Sequence, residues 1–149
     1  MVQIGSIVGG GRSVGKKLKA QFLAATPALA KLKDNVAQSA AKGYITGLDG
    51  RKVFIRSEHA ALNSLLQSAG AIIMKQALII LDKYAILWGI DYKFVGNIHD
   101  EFQVEVRADQ ADKFGRLATD CIVAAGLHYN LRCPLAGDYK VGASWAETH

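Results

Sequence analysis

Cysteine, proline and long apolar runs are all scarce in this sequence of 149 residues. A membrane-spanning helix needs about 18 to 20 consecutive apolar residues, whereas an uninterrupted run such as Ala77–Leu81 is far shorter. The chain has two cysteines, Cys121 and Cys133, and no secretory pattern at its start. We therefore expect a cytoplasmic protein with buried, reduced thiols and no membrane partner. Because half of the residues are hydrophobic, a buried core is expected.

Acidic residues are scarce in the first 43 positions. This segment holds seven Lys or Arg residues and one acid, so its formal charge is +6. The remaining residues hold eleven basic and twelve acidic side chains, which brings the net charge to +5. A basic segment indicates a polyanion partner, with nucleic acid as the first candidate. A solvated lysine face explains the same charge equally well, so charge alone does not choose between the two interpretations.

A glycine-rich stretch in this basic segment is similar to a phosphate-binding loop. Gly10, Gly15 and Lys16 have the spacing of that motif, in which backbone N–H groups surround phosphates. The next position must supply a hydroxyl group to magnesium, but Lys17 stands there. We therefore reject a nucleotide-binding loop at this position.

Capping residues and apolar periodicity predict two helices in the first 43 positions. Ser13 can cap a helix that runs to about residue 24. Thr26 followed by Pro27 is a strong start signal for a second helix. Gly43 is then expected to end that second helix.

A hairpin and a long helix are predicted next. Asp49-Gly50 lies between two β-rich runs, and this pair is typical of hairpin turns. Ser57 can cap a helix over residues 58–88, which would span roughly 45 Å at about 1.5 Å per residue. Apolar residues that recur every three or four positions predict its buried stripe, namely Leu62, Leu66, Ala69, Ile73, Ala77, Ile80, Tyr84 and Leu87.

The same helix carries a second, polar stripe. His59, Asn63 and Gln67 are spaced by four residues, so they lie on one face. A solvent-facing side usually carries Lys and Glu, and this half of the helix has neither after Glu58. Uncharged donors suit the acceptors that each base pair presents in the DNA minor groove, a pattern too degenerate to read sequence. The stripe predicts contact with duplex DNA, and simple solvent exposure is the alternative.

Residues 99–101 carry the most distinctive chemistry of the chain. His99-Asp100-Glu101 lies between two alternating apolar runs, residues 92–98 and 102–107, which predict a β-hairpin. The turn would present an imidazole and two adjacent carboxylates. Crowded acids disfavour ionisation unless a cation is present, and oxygen ligands of this kind suit magnesium. An Asp in an ordinary turn is the alternative interpretation.

The remaining residues complete the predicted fold. Asp109 can cap a helix that reaches residue 125, with Gly126 at its end, and residues 135–141 predict a last strand. The fold class expected is α/β of the α+β type, with a mainly antiparallel sheet and helices packed on one face. The inner face predicted for the late helix consists of Ala111, Phe114, Leu117, Cys121 and Ile122.

The order of these motifs resembles the C-terminal part of family A DNA polymerases, the polymerase I-like enzymes of bacteria and phages. The resemblance rests on Asn63 and Gln67 in a long helix, Ile98-His99-Asp100-Glu101 in a hairpin, and Gly142, Trp145 and His149. Residues 47–53 and 59–63 are most similar to the phage branch. The resemblance implies that residues 1–43 are a helical remnant of late fingers and residues 44–149 a C-terminal palm. A phage-encoded protein of this kind would act in the host cytoplasm.

The resemblance also implies a role for each candidate residue. Asp100 matches the palm aspartate that holds the catalytic metals, and Glu101 matches its acidic neighbour, so both are predicted catalytic residues. The implied cofactor is Mg²⁺ in a two-metal site, and the implied ligands are primer–template DNA and deoxynucleoside triphosphates. Residues matched to the DNA backbone, the minor groove and the primer end form the predicted DNA-binding set, namely His59, Asn63, Gln67 and His99.

Two parts of the family's active site have no counterpart in these residues. They are the first palm aspartate and the fingers helix whose Arg, Lys and Tyr bind the incoming nucleotide. Two-metal phosphoryl transfer needs ligands on both sides of ions about 4 Å apart, so Asp100 and Glu101 form half a site. The resemblance implies the C-terminal subunit or fragment of a split DNA polymerase. Such a chain would be inactive alone.

Its implied partner is an N-terminal polymerase subunit or fragment that completes the two-metal site, with self-association where that partner is absent. The alternative is a non-catalytic DNA-binding or assembly module that kept the palm fold.

Overall fold

The computed structural model describes residues 6–7, 9–98 and 100–149, with the backbone alone for Glu58. His99, a predicted DNA-binding residue, therefore lies outside the described residues. The chain divides into two compact units. The first holds the residues up to Thr46 together with Lys52–Leu65, and the second holds Gly47–Arg51 together with Leu66–His149. The predicted division at residue 43 into fingers-like and palm-like segments stays a prediction.

Five helices and four strands make up the described parts of the chain from Arg12 onward. The helices are α1 (Arg12–Ala25), α2 (Pro27–Ala40), α3 (Glu58–Leu87), α4 (Ala111–His128) and α5 (Trp145–Thr148). The strands are β1 (Tyr44–Thr46), β2 (Lys52–Phe54), β3 (Tyr92–Ile98) and β4 (Glu101–Val106), and a 3₁₀ turn covers Ala108–Gln110. Two antiparallel hairpins, β1–β2 and β3–β4, form the sheets. This mixture of helices and antiparallel strands confirms the predicted fold class.

The first unit contains α1, α2, the strands β1 and β2 and the start of α3. Thr26 separates the first two helices and Pro27 opens the second, as predicted. The Thr26 hydroxyl donates to the Phe22 carbonyl at 2.6 Å, so it satisfies the end of α1 instead of capping α2. The predicted Ser13 cap is wrong because α1 already begins at Arg12. The hydrophobic core of this unit contains the buried residues Val36, Ala40, Ile45 and Ala61.

Glycines adopt left-handed backbone conformations where the sequence predicts chain reversals. Gly43 follows α2 with a φ of +80°, and Gly50 occupies the β1–β2 turn with a φ of +84°. Beside it, Arg51 Nε donates to Asp49 Oδ2 at 2.7 Å. This hydrogen bond holds the pKa of Asp49 below its ordinary value. The turn is therefore fixed by a local ion pair as well as by glycine.

The core of the second unit forms where α3, α4 and the β3–β4 hairpin meet. Its buried residues are Leu81, Ala85, Ile90, Phe114, Leu117, Ala118 and Cys121. Phe102, Val104 and Val106 pack against this core, as their alternation predicts. Burial raises the pKa of the Cys121 thiol to about 11, which keeps it protonated. Cys133 is exposed, so the expectation that both thiols are buried is wrong for this residue.

Helix α3 buries only part of the predicted stripe: Ala77 is buried, and Leu62, Ala69, Ile73 and Ile80 are half-buried. Its buried residues are Ala61, Ile72, Ala77, Leu81 and Ala85. Leu66 and Leu87, both predicted to be buried, are 57% and 71% exposed. Apolar residues occupy several faces of this helix, so their spacing could not choose between faces. All five positions predicted for the inner face of α4 agree with the structure, because Phe114, Leu117 and Cys121 are buried and Ala111 and Ile122 are half-buried.

Helix α3 is also long and apolar enough, by length and composition alone, to cross a membrane. The segment His59–Leu87 has 29 residues. Within it, a window of 18 residues has a mean hydropathy of 1.5, and 17% of that window is buried inside the protein. The expectation that the chain has no such segment was based on uninterrupted apolar runs. Scattered polar residues interrupt the runs in α3, although the mean hydropathy of the helix is high. One helix of this kind is weak evidence for a membrane span, since long core helices of soluble proteins have the same composition.

The start and end of α4 differ from the prediction. The helix continues past Gly126 to His128, because Gly126 is buried inside the helix, and Asn130 adopts the left-handed φ of +52° instead. Asp109 does not cap the helix. Its carboxylate pairs with Arg107 Nε at 2.9 Å, which engages the oxygens that a cap would need.

Residues 135–141, predicted as a strand, have no regular secondary structure. They run along α4, where Leu135 lies against Gly126 and Tyr139 against Gly115. A Cβ at Gly115 would lie 2.1 Å from the Tyr139 ring, so this contact needs glycine. The apolar side chains of this segment therefore pack against α4. In the described parts of the chain, no strand pairs with the segment.

Candidate active site

The β3–β4 hairpin carries the acidic pair at its tip. Antiparallel pairing places Ile98 opposite Glu101, the first residue of β4. Asp100 occupies the turn and is exposed. The hairpin is anchored by β4 side chains that pack on the core of the second unit. A half-buried strand therefore supports the exposed carboxylate of Asp100 and the half-buried carboxylate of Glu101, as the alternating runs predict.

Asp100 presents a free carboxylate to solvent. Within the part of the chain that the structure describes, this side chain makes no hydrogen bond or ion pair. Carboxylate oxygens of this kind are the ligands that Mg²⁺ takes in proteins. The position of Asp100 therefore fits a metal ligand, the role predicted for it.

Glu101, by contrast, is engaged on both carboxylate oxygens. Gln103 Nε2 donates to Oε1 at 2.5 Å, and His149 Nδ1 lies 3.3 Å from Oε2. The hydrogen bond from Gln103 is the main cause that lowers the pKa of Glu101, and bonds from His149 and Trp145 add to it. Glu101 is therefore held as a carboxylate, and its oxygens are less available to a metal than those of Asp100.

Two residues of this cluster were not predicted from the sequence. Thr148 Oγ1 donates to Gln103 Oε1 at 3.2 Å, which links the end of the chain to β4. No local pattern marks Gln103, because it looks like an ordinary outward-facing strand residue. Trp145 and His149 belonged to the motif that marked the family resemblance, but nothing in the sequence placed them beside Glu101.

At the hairpin tip, the described residues offer the free carboxylate of Asp100 and not a complete metal site. Among residues 6–7, 9–98 and 100–149, no three His, Cys, Asp or Glu side chains lie close enough together to hold a metal ion. Asp100 therefore fits Mg²⁺ as a single ligand. Further ligands would have to come from other residues or from the substrate.

The polar stripe on α3 is exposed, which both DNA contact and simple solvent exposure predict. His59, Asn63 and Gln67 all face solvent. His59 also lines an apolar groove of the first unit, with a volume of 1040 Å³ and with Lys19 and Lys33 beside it. That these residues contact DNA stays a prediction.

The basic character of the first unit is displayed on its surface. Lys16, Lys17, Lys31 and Lys42 are exposed. The one acid in this segment, Asp34, lies 3.8 Å from Lys33. Most of the positive charge is therefore not neutralised by neighbouring carboxylates among the described residues.

Comparison with known proteins decides the family. The sequence model of DNA polymerase family A matches residues 3–147. The chain belongs to DNA polymerase family A. The family A chain resembles a DNA-directed DNA polymerase of Escherichia phage Phieco32, with 40% identity over 99% of this chain and 25% of that protein. It is also similar to the DNA-directed DNA polymerase of Escherichia phage T7, with 38% identity over 99% of this chain and 24% of that protein. The resemblance inferred from the motifs is thereby confirmed.

Bacterial relatives are more distant. DNA polymerase I of Pseudomonas aeruginosa is 28% identical over 81% of this chain and 14% of that protein. The family A chain thus spans about a quarter of the length of its phage relatives. Among solved structures, the POL domain of Pol1 from M. smegmatis in complex with DNA primer-template and dNTP has a TM-score of 0.71. It is 22% identical and matches 80% of this chain and 24% of that one. This likeness shows a shared fold.

Proposed function

We propose that this chain supplies the second metal-binding aspartate and primer–template contacts for template-directed DNA synthesis in the cytoplasm. The observation that carries the proposal is the exposed Asp100 at the tip of an anchored hairpin in a family A chain. Another polymerase segment completes the site with the first palm aspartate and the fingers helix that binds deoxynucleoside triphosphates. That segment belongs either to a separate N-terminal subunit or to a longer form of this chain.

Asp100 is the residue that would hold Mg²⁺. When bound, the metal pair supplies positive charge that stabilises phosphoryl transfer and orients the attacking and leaving oxygens. Asp100 contributes a hard oxygen ligand from one side, and the completing segment contributes the opposing aspartate. Glu101 acts beside it as an ionised neighbour whose oxygens are already hydrogen-bonded.

The DNA contacts in this proposal divide by chemistry. Asn63 and Gln67 touch minor-groove acceptors, which suits uncharged donors that must tolerate any sequence. His59 contacts the DNA backbone, and His99 approaches the primer end. Exposed lysines of α1 and α2 contribute sequence-independent attraction to phosphates.

The unpaired, partly apolar edge of β3 is a surface on which the completing segment can pack. In the described residues, β3 and β4 form a two-stranded sheet, so each strand has one unpaired edge. The register shifts between Phe94 and Gly96, and the intervening Val95 is 64% exposed. Ile79 and Ile86 of α3 are 64% and 67% exposed in the same unit. Unpaired edges and apolar patches are surfaces on which another chain segment can pack.

Reconstitution tests the proposal. The 149-residue chain is mixed with a phage family A polymerase that lacks the matching C-terminal quarter, and primer extension is measured with Mg²⁺ and all four deoxynucleotides. We expect neither protein to extend a primer alone and the mixture to do so. Asp100→Asn should lower extension by at least about 100-fold, the scale on which transition-state charge stabilisation is lost. The complex should remain intact on gel filtration.

Asp120→Asn is the matched control, because this exposed aspartate lies on α4 away from the hairpin tip. It should extend primers like the parent. Template-directed extension by the 149-residue chain alone, lost in Asp100→Asn, would show that no completing segment is needed. If the mixture neither associates nor extends primers and the chain stays a monomer, a non-catalytic DNA-binding or assembly module replaces this proposal.

A further inference from the structure

The short helix α5 is held by its own preceding turn. Glu147 Oε2 accepts a hydrogen bond from the Ala143 N–H at 2.8 Å, which closes this turn. A side chain at Gly142 would place its Cβ 2.7 Å from Cβ of Glu147, so the turn needs glycine there. This arrangement gives the motif residue Gly142 a physical role, which is to fix the direction of α5.

Two residues at the C-terminal end of α5 contact the acidic hairpin, although they lie far from it in the sequence. Thr148 Oγ1 donates to Gln103 Oε1 at 3.2 Å across 45 positions. His149 Nδ1 lies 3.3 Å from Glu101 Oε2 across 48 positions. Gln103 in turn donates from Nε2 to Glu101 Oε1 at 2.5 Å. Gln103, Thr148 and His149, which we call the hairpin clamp, thus form one network that ends on both oxygens of Glu101.

The clamp restricts Glu101 although it lies near the surface. The Glu101 side chain is 37% exposed and that of His149 is 67% exposed. A single ion pair at this exposure contributes little to stability. Here separate donors approach the two oxygens of one carboxylate, and the His149 ring is itself packed edge-on to the Trp145 ring at 6.0 Å. Such convergence limits the side-chain rotamers that Glu101 can adopt.

We propose that the hairpin clamp is a positioning device that holds Glu101 and thereby aims Asp100. Asp100 directly precedes Glu101, so an anchored Glu101 restricts the backbone angles that direct the Asp100 carboxylate. The clamp also occupies both Glu101 oxygens, which leaves Asp100 as the carboxylate of this pair that is free to bind a cation. This inference rests on the proposed function and adds three positioning residues to it.

Four variants distinguish the effect of the clamp's hydrogen bonds from a general loss of packing. His149→Ala and Thr148→Val each remove one donor. His149→Asn keeps an amide N–H donor near the position of His149 Nδ1, so it should restore the bond to Glu101. Thr119→Val is the control, because the Thr119 hydroxyl donates within α4, to the Arg116 carbonyl at 2.8 Å.

The first measurement uses the 149-residue chain by itself. Amide hydrogen exchange and the side-chain amide NMR signals of Gln103 report the hairpin directly. In His149→Ala and Thr148→Val, we expect exchange at Glu101 and Gln103 to become about fivefold faster, the scale of one net hydrogen bond. His149→Asn and Thr119→Val should leave that exchange within about twofold of the parent.

The second measurement uses primer extension by the reconstituted enzyme. Misdirecting Asp100 should lower kcat, by about tenfold in His149→Ala, because small misplacements of catalytic groups are costly. The KM for deoxynucleotides should stay unchanged, since the clamp acts on the proposed metal ligand and none of its residues is proposed to bind the nucleotide. His149→Asn should recover most of kcat.

The outcomes separate this inference from the proposed function. Unchanged exchange and unchanged Gln103 signals in both donor-removing variants would overturn the clamp itself. Faster exchange with an unaffected kcat would overturn the positioning role and leave a structural contact only. If the parent mixture is inactive, the proposed function fails while the exchange data still decide whether the clamp holds Glu101.

Discussion

Tyr92 Oη donates a hydrogen bond to Asp82 Oδ1 at 2.5 Å, which joins β3 to helix α3. Tyr92 is the first residue of the strand that leads to Asp100. Burial and the Asp82 carboxylate together raise the pKa of Tyr92 to about 12. Folding therefore favours the protonated phenol, which is the form that donates this bond. The base of the acidic hairpin is fixed to the long helix in a way that depends on pH.

We predict that the stability contributed by Tyr92 disappears in alkaline solution. A group whose pKa is raised by folding stabilises the fold fully below its unfolded value, near pH 10 for tyrosine. That contribution is lost as the pH rises through the folded value of about 12. Tyr92→Phe should cost about 1 kcal/mol at neutral pH, the net value of a partly solvated hydrogen bond. The difference from the parent in urea unfolding should shrink between about pH 10 and pH 12.

Tyr84→Phe is the control, because Tyr84 lies on α3, the helix that carries Asp82, and is 41% exposed. It should unfold like the parent at every pH. Parallel loss of stability in the parent and in Tyr92→Phe over this window would show that the Tyr92 phenol is not the group responsible.

Features with purely local causes could be predicted from the sequence. The Asp49-Gly50 turn needs a positive φ, and Gly50 adopts it without help from distant residues. Strand β4 was predicted because Phe102 and Val104 alternate with polar residues and one face is buried. The exposed carboxylate of Asp100 follows from its place in the turn between the two strands.

Features that depend on distant residues could not be predicted. The buried face of α3 depends on which neighbours pack against it, whereas the sequence shows apolar residues on several faces. Residues 135–141 alternate like a strand but pack along α4. The contact between Glu101 and His149 joins positions 48 residues apart, and no spacing rule connects them.

We predict that Gly115→Ala destabilises the second unit. An added Cβ would lie 2.1 Å from Cδ2 of Tyr139 and 2.5 Å from Cγ, so the ring must move away from α4. Overpacking of this kind costs about 1 to 3 kcal/mol. Thermal unfolding followed by circular dichroism measures the change.

Gly70→Ala is the matched control, since both glycines lie inside helices. No atom lies within 4 Å of a Cβ built at Gly70. Alanine should therefore stabilise α3 there by up to about 1 kcal/mol through its higher helix propensity. Equal unfolding temperatures for the two variants would contradict the close packing of Tyr139 on Gly115.

We predict that Asn63 and Gln67 contact duplex DNA without reading its sequence. The double Ala variant of the reconstituted enzyme should bind primer–template about tenfold more weakly, the sum of two modest hydrogen bonds. The loss should be similar on unrelated duplexes, because minor-groove acceptors are nearly the same at every base pair. Fluorescence anisotropy with several duplexes measures it.

The matched control replaces Asn35 and Gln38, which are the same two residue types exposed on α2. This double Ala variant should bind like the parent. A loss confined to one DNA sequence, or an equal loss in the control, would contradict the minor-groove assignment of Asn63 and Gln67.

The lysines of the first unit should set the salt dependence of DNA binding. Each phosphate contact removed should reduce the slope of log K against log salt by about 0.9. Lys16→Gln with Lys17→Gln should therefore flatten this dependence, whereas Asn63→Ala with Gln67→Ala should leave the slope unchanged. Binding titrations at several salt concentrations measure both slopes. Equal slopes for the parent and the lysine variant would show that these exposed lysines form a solvated face only.

The exposed edge of β3 should make the chain self-associate when no completing segment is present. Val95 is 64% exposed and Phe94 is 42% exposed on this edge strand, and unpaired edges with apolar side chains favour pairing with another chain. Val95→Lys should shift the chain toward the monomer, because a charge on the edge opposes pairing. Sedimentation velocity over a range of protein concentrations measures the effect.

Val123→Lys is the control, since Val123 is 39% exposed on α4 and lies on no strand edge. It should associate like the parent. The same edge is the proposed site of the completing segment, so Val95→Lys should also weaken formation of the active mixture. A parent chain that remains a monomer at every concentration, together with full activity of Val95→Lys in the mixture, would assign the partner to a different surface.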